Sequence, residues 1–94
     1  MIVSVDELKA HLRVQDSEED ALMESLLVQA QAAANDYCRT EYDVEAPEPV
    51  RLAVLLMASH FYENRDNSDK AAFVTMQMAF HALLYPYRTI EDMF

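Results

Sequence analysis

The sequence predicts an all-α fold, a small bundle of about four helices with a buried third helix at its centre and a C-terminal tail. Glycine is absent from all 94 residues, against an average usage of about 7%, so the residue best suited to tight hairpin turns is missing. The strong helix formers Ala, Leu, Met, Glu and Gln are abundant. Apolar residues also recur at three- and four-residue spacing along most of the chain.

The length suits one domain, 1–94, with a single hydrophobic core. Hydrophobic residues at 52% and charged residues at 26% match a folding chain rather than a disordered one. At this size the core leaves a modest stability margin, which a partner subunit would raise.

The elements follow in order. Met1 to Val3 is a short apolar lead expected to lie extended. Ser4 and Glu7 have capping-box spacing and open a helix through Leu12, with Val5, Leu8 and Leu12 as its apolar stripe. Asp16 or Ser17 caps a second helix running to about Arg39, with Glu18, Glu19 and Asp20 placed against the positive end of the helix dipole. Leu22, Met23, Leu26, Leu27, Ala30, Ala33, Ala34, Tyr37 and Cys38 form its buried face, and Glu24, Gln31, Asn35 and Asp36 its polar one. The small residues Ala30 and Ala32 to Ala34 allow close approach by another helix.

Thr40 to Glu48 reads as a loop, with Pro47 inside it, Pro49 just beyond it and no periodicity. Pro47 or Pro49 then begins the third helix. No charged residue stands between Arg51 and Glu63, and Leu52 to Ala58 is an unbroken apolar run, so this helix is expected to be buried on every side. It is too short for a membrane span, which needs roughly 18 or more apolar residues. The polar break NRDNSDK ends it. A fourth helix starts at Ala71 or Ala72, carries Phe73, Met76, Phe80, Leu83 and Leu84 as its stripe, and stops before Pro86. The remaining YPYRTIEDMF is apolar for a terminus, and tails of that kind are often docking elements.

The net charge of −10 opposes electrostatic binding to nucleic acid or to an anionic membrane. It suits a soluble surface, or one that DNA passes without sticking. The lone Cys38 excludes an internal disulfide framework. Asp6, Glu7 and Lys9 stand where an export signal would need an apolar core, so a reduced cytosolic setting is expected.

Little here carries chemistry. His60 and Glu63 share a helix face, but a bundle metal site needs Glu-x-x-His from two helices with further carboxylates. His11 and His81 fit surface or partly buried positions. Cys38 lies on an apolar face, the usual place of a structural thiol. Glu18, Glu19 and Asp20 are explained by a helix start, and Glu91 and Asp92 by an exposed tail, so neither group offers the raised pKa that acid-base catalysis requires. Without glycine there is no phosphate-cradling loop. The expectation is no enzyme, no metal and no cofactor. Met23, Met57, Met76, Met78 and Met93 fall mostly at core spacing, as gap fillers. Arg65 suits either a surface pair with Glu63 or Asp66, or an anchor between subunits, where Arg is enriched.

Four pieces in order, VDELKAHLRV at 5–14, SEEDALMESLLVQAQAAANDYC at 17–38, ASHFYENRD at 58–66 and ALLYPYR at 82–88, resemble the gp6-like head-tail connector (adaptor) proteins of tailed bacteriophages and prophages. The chain departs from that family in its short link between second and third helices, where members commonly carry a longer glycine-containing segment. The resemblance implies a structural virion protein at the head-tail interface, assembled in the host cytoplasm. It would form a ring with itself matching the portal's twelvefold symmetry, dock on the portal protein, extend the DNA channel, and seat the next head-completion or tail protein. DNA would pass without specific binding, and no membrane is involved. Tyr85, Tyr87, Arg88, Ile90 and Phe94 are then candidates for docking on the portal or adjacent subunit, within a tail at 85–94. Arg65 and Tyr62 are candidates for contact between subunits. Which acidic residues would line the channel is not legible. The alternative is an acidic DNA mimic or small inhibitor of a basic protein, which needs carboxylates spaced like phosphates along one face; here they gather at helix ends and loops.

Overall fold

The computed structural model describes residues 1–64 and 69–88. Helices α1 (Val5–Leu12), α2 (Asp20–Cys38), α3 (Glu48–Glu63) and α4 (Lys70–Leu84) are followed by one 3₁₀ turn at Tyr85–Tyr87. No strand occurs among the described residues.

The starts of the helices follow from their caps. Ser4 Oγ accepts from the Glu7 amide at 3.1 Å, and Glu7 Oε1 accepts from the Ser4 amide at 3.2 Å, closing the expected capping box. Asp69 Oδ1 accepts from the Ala72 amide at 3.0 Å, so α4 begins at Lys70, just before the expected Ala71 or Ala72. Asp16 does not cap α2. Its carboxylate accepts from the Glu18 amide at 3.2 Å in a turn that precedes the helix, and α2 starts at Asp20 with Glu19 at its N-cap and no side-chain cap bond. The acidic run therefore spans a turn as well as a helix start. Pro47 is the N-cap of α3 and Pro49 lies in its first turn, where a missing N–H costs nothing.

The helix ends show what a chain without glycine must do. Arg13 and Arg39 close α1 and α2 in the left-handed region, with φ 61° and 55°, the place glycine usually takes. The Arg13 amide reaches the Ala10 carbonyl, and the Arg39 amide the Asn35 carbonyl. Each left-handed arginine costs about 1–2 kcal/mol.

Helix α3 is the centre. At its C-terminal end the Tyr62 hydroxyl donates to Glu19 Oε1 at 2.6 Å, beside the start of α2, so α2 and α3 run antiparallel. Phe61 and Phe73, 6.2 Å apart, join the end of α3 to the start of α4, which turns back again. Helices α2 and α4 are thus parallel and flank α3, meeting at their C-terminal ends. There Tyr37 stacks on His81 with centroids 4.7 Å apart, and the Cys38 thiol faces the Leu84 carbonyl at 3.9 Å.

Burial of α3 is incomplete, which corrects the expectation of a helix covered all round. Val50, Ala53, Val54, Met57, Ala58 and Ser59 are buried, whereas Leu52 is 49% exposed and Leu55, Leu56 and Phe61 are half-buried. The eight-residue α1 is too short to close the remaining side. Ser59 fits among apolar neighbours because its hydroxyl donates to the Leu55 carbonyl one turn back.

The N-terminal lead is part of the core. Ile2 and Val3 are 1% exposed, and burying their backbone requires partners. Gln31 Oε1 accepts from the Ile2 amide at 2.6 Å, and Arg51 Nη1 donates to the Ile2 carbonyl at 2.6 Å. Likewise Asn35 Oδ1 accepts from the Tyr42 amide at 3.1 Å. Gln31 and Asn35, read from sequence as a solvent-facing polar surface, instead hold two extended segments against α2.

Candidate functional site

The two faces of α4 differ in kind. Met76, Phe80 and Leu84 are buried against the rest of the bundle, with Phe73 and Leu83 half-buried beside them. On the opposite side Val74 is 52% exposed, Met78 68%, and Tyr85, in the 3₁₀ turn that continues the line, 57%. Steps of four and seven residues put these three in one row, so α4 offers solvent an apolar stripe along nearly its whole length. Met78 is accordingly no core gap filler, unlike the buried Met23, Met57 and Met76. Met93 lies outside the described residues.

Helix α2 has an outward row of another texture. Ala21, Ser25, Val28 and Ala32 follow one another by three or four residues and all are exposed, opposite the buried Met23, Leu27, Ala30, Ala34 and Cys38. Leu22, expected in the core, lies at the edge of the buried face and is 36% exposed. At its C-terminal end the row opens into a groove of about 700 Å³ lined by Ala32, Asn35, Asp36, Arg39, Thr40 and Glu41.

The C-terminal candidates separate at this end of the bundle. Tyr85 is directed outward, whereas Tyr87 is half-buried against the core. The Arg88 guanidinium lies over the Tyr37 ring at 5.1 Å, so Tyr37 carries Arg88 on one contact and His81 on another. Arg88 Nε is shielded from solvent with no hydrogen-bond partner among the described residues. Tyr62 is tied to Glu19 within the chain. Arg65, Ile90 and Phe94 lie outside the described residues.

Charge is as unevenly spread as shape. Residues 1–64 carry thirteen Asp and Glu against four Lys and Arg, while residues 70–88 carry Lys70 and Arg88 and no acidic residue. The first part also ties itself together: Arg51 pairs with Glu7 and, at 3.6 Å, with Glu48, and Lys9 Nζ lies 2.9 Å from Asp20. The hydrogen bond from the Ser4 amide, reinforced by the Arg51 guanidinium, holds the Glu7 carboxyl below its ordinary value.

Among the described residues no three His, Cys, Asp or Glu side chains gather as metal ligands. His60 is surrounded by the Phe61 and Phe73 rings and by Asn64, whose Nδ2 lies 3.4 Å from its Nδ1. Burial pushes the Cys38 thiol up, against the opposing pull of Arg88, the reverse of what a nucleophile needs. No helix among the described residues is long and apolar enough to cross a membrane.

The α4 stripe is a candidate contact surface that the sequence reading does not single out. Its signal was present in the three-and-four spacing of Val74 and Met78 outside the Phe73, Met76 and Phe80 row, and in the lack of any acidic residue from Lys70 to Arg88. The family model described as phage gp6-like head-tail connector protein matches residues 2–90. No curated protein matches, and neither does any solved structure.

Proposed function

Because the chain belongs to the phage gp6-like head-tail connector family, as the match over residues 2–90 shows, we propose that it forms a ring beneath the portal vertex of the filled head. The ring extends the DNA channel and seats the next head-completion or tail protein. The family match is the observation that carries this reading. The role is structural and without turnover, and its place is the virion's head-tail interface after assembly in the host cytoplasm.

Two physical features support it. The apolar stripe on α4 (Val74, Met78 and Tyr85) gives a small domain a surface worth covering. The acidic excess of residues 1–64, repeated around a ring, makes an electronegative collar. DNA carries one charge per about 1.7 Å of axis and would be kept from sticking to such a wall. In this reading Tyr85, Tyr87 and Arg88, with Ile90 and Phe94, form or lead into the arm that meets the portal or the adjacent subunit.

The test is light scattering on the purified chain alone and after mixing with the portal protein of the same genome. The expected result is a particle many times the 10.8 kDa of one chain, either by itself or on the portal. A monomer that ignores the portal at any concentration overturns the reading.

A further inference from the structure

We propose that successive subunits join head to tail through the outward stripe of α4 on one copy and the outward row of α2 on the next. This contact rests on the ring reading above and names the surfaces that would close it. A ring needs two different, complementary patches pointing in different directions, since a patch that pairs with itself stops at a dimer. Helices α2 and α4 flank α3 and turn their exposed rows away from it, which supplies two such directions.

The occupant is a second copy because the two rows complement each other in charge and in shape. Lys70 stands one turn before Val74 in the α4 row, in a segment with no acidic residue from Lys70 to Arg88, and the exposed Glu24 stands one turn before Val28 in the α2 row, in a part of the chain (1–64) that holds thirteen acidic side chains against four basic ones. Like-charged surfaces on identical subunits would repel; this segregation lets one copy present its least acidic face to the acidic part of its neighbour. In shape, α4 projects Val74, Met78 and Tyr85, and α2 offers the small side chains of Ala21, Ser25 and Ala32 around Val28. Large side chains against small ones let two helices approach closely and interlock.

The register follows from the fold. Within one chain Tyr37 stands level with His81, and Cys38 with Leu84, and the two helices are parallel. A rotation about an axis running along the helices preserves height. The neighbour's Val74 then falls beside Val28, its Met78 over Ala32, and its Tyr85 at the groove lined by Asp36, Arg39 and Thr40.

The test uses the full chain in two ways. Val28→Asp and Met78→Asp each place a carboxylate at an exposed position, so helix content by circular dichroism should be unchanged. Each should weaken assembly, alone or on the portal, by at least tenfold in the concentration required. In the second experiment Val28→Cys and Val74→Cys chains are oxidised separately, together, and as the double variant, Cys38 being buried. The contact predicts no covalent dimer from either single variant, a dimer from the mixture, and a ladder of oligomers from the double variant. Dimers from Val74→Cys alone would mean that α4 pairs with itself and would overturn the proposal. Assembly of both Asp variants at the wild-type concentration would overturn it while leaving the ring reading intact. A wild-type chain that stays monomeric with and without portal removes the ring, and this contact with it.

Discussion

The N-terminal part of the molecule and α4 are built on opposite principles. Residues 1–64 close on themselves through polar contacts. Gln31 and Arg51 hold the Ile2 backbone, Asn35 holds Tyr42, Tyr62 bonds Glu19, and Glu7 and Asp20 have cationic partners. Helix α4 has one side chain capping it and otherwise packs by aliphatic and ring contacts, with Val74 and Met78 left outside. These contacts fix the two extended segments and the α2–α3 pair in place. A helix with one apolar face in the core and a second in water has an unspent face. In the proposed contact the outer face of α4 meets the outward row of α2, and the polar contacts of residues 1–64 hold that row in place.

The largest effect that sharpens this contrast lies on the buried side of α4. Phe80 is 2% exposed and central to the core, so Phe80→Ala should cost about 3–5 kcal/mol. Denaturant unfolding measures it; a loss below about 1 kcal/mol would mean that α4 is held from outside rather than by its inner face. A smaller loss is expected in the polar part. Arg51→Met leaves the Ile2 carbonyl without its donor and Glu7 without its cation, for about 1–3 kcal/mol. This cost should depend on pH in a definite direction. The folded pKa of Glu7 lies below its ordinary value, first through the Ser4 amide and then through Arg51. Its contribution is therefore complete above the unfolded pKa and lost as pH falls through the folded one. The stability gap between wild type and Arg51→Met should narrow below about pH 4.5, leaving the share due to the Ile2 carbonyl. A gap that widens in acid would contradict the assignment of Arg51 to Glu7.

Much of the fold was legible because local rules agreed with tertiary packing. The Ser4–Glu7 box, the helix-forming composition and the Phe73, Met76, Phe80, Leu84 row each fixed an element, and the burial of Cys38 followed from its neighbours. Legibility failed where a side chain serves a distant segment. Gln31 and Asn35 sit on the polar side of α2 in any helical projection, and only the path of residues 1–3 and 42 turns them into backbone partners. The all-round burial expected of α3 failed because hydropathy counts apolar residues, not the helices available to cover them; α1 is too short to cover Leu52. Of the tail candidates among the described residues, Tyr85 is exposed, whereas Tyr87 packs on the core and Arg88 on Tyr37, since an aromatic-rich segment can serve its own domain as readily as a partner.

The connector role is tested most directly in the particle itself. Virions produced from the same genome would be purified, and the peptides of this chain counted against those of the portal protein by quantitative mass spectrometry. The account predicts a copy number comparable to that of the portal, retained in tailed particles and in filled heads that lack only the tail. Absence of the chain from purified virions would contradict it.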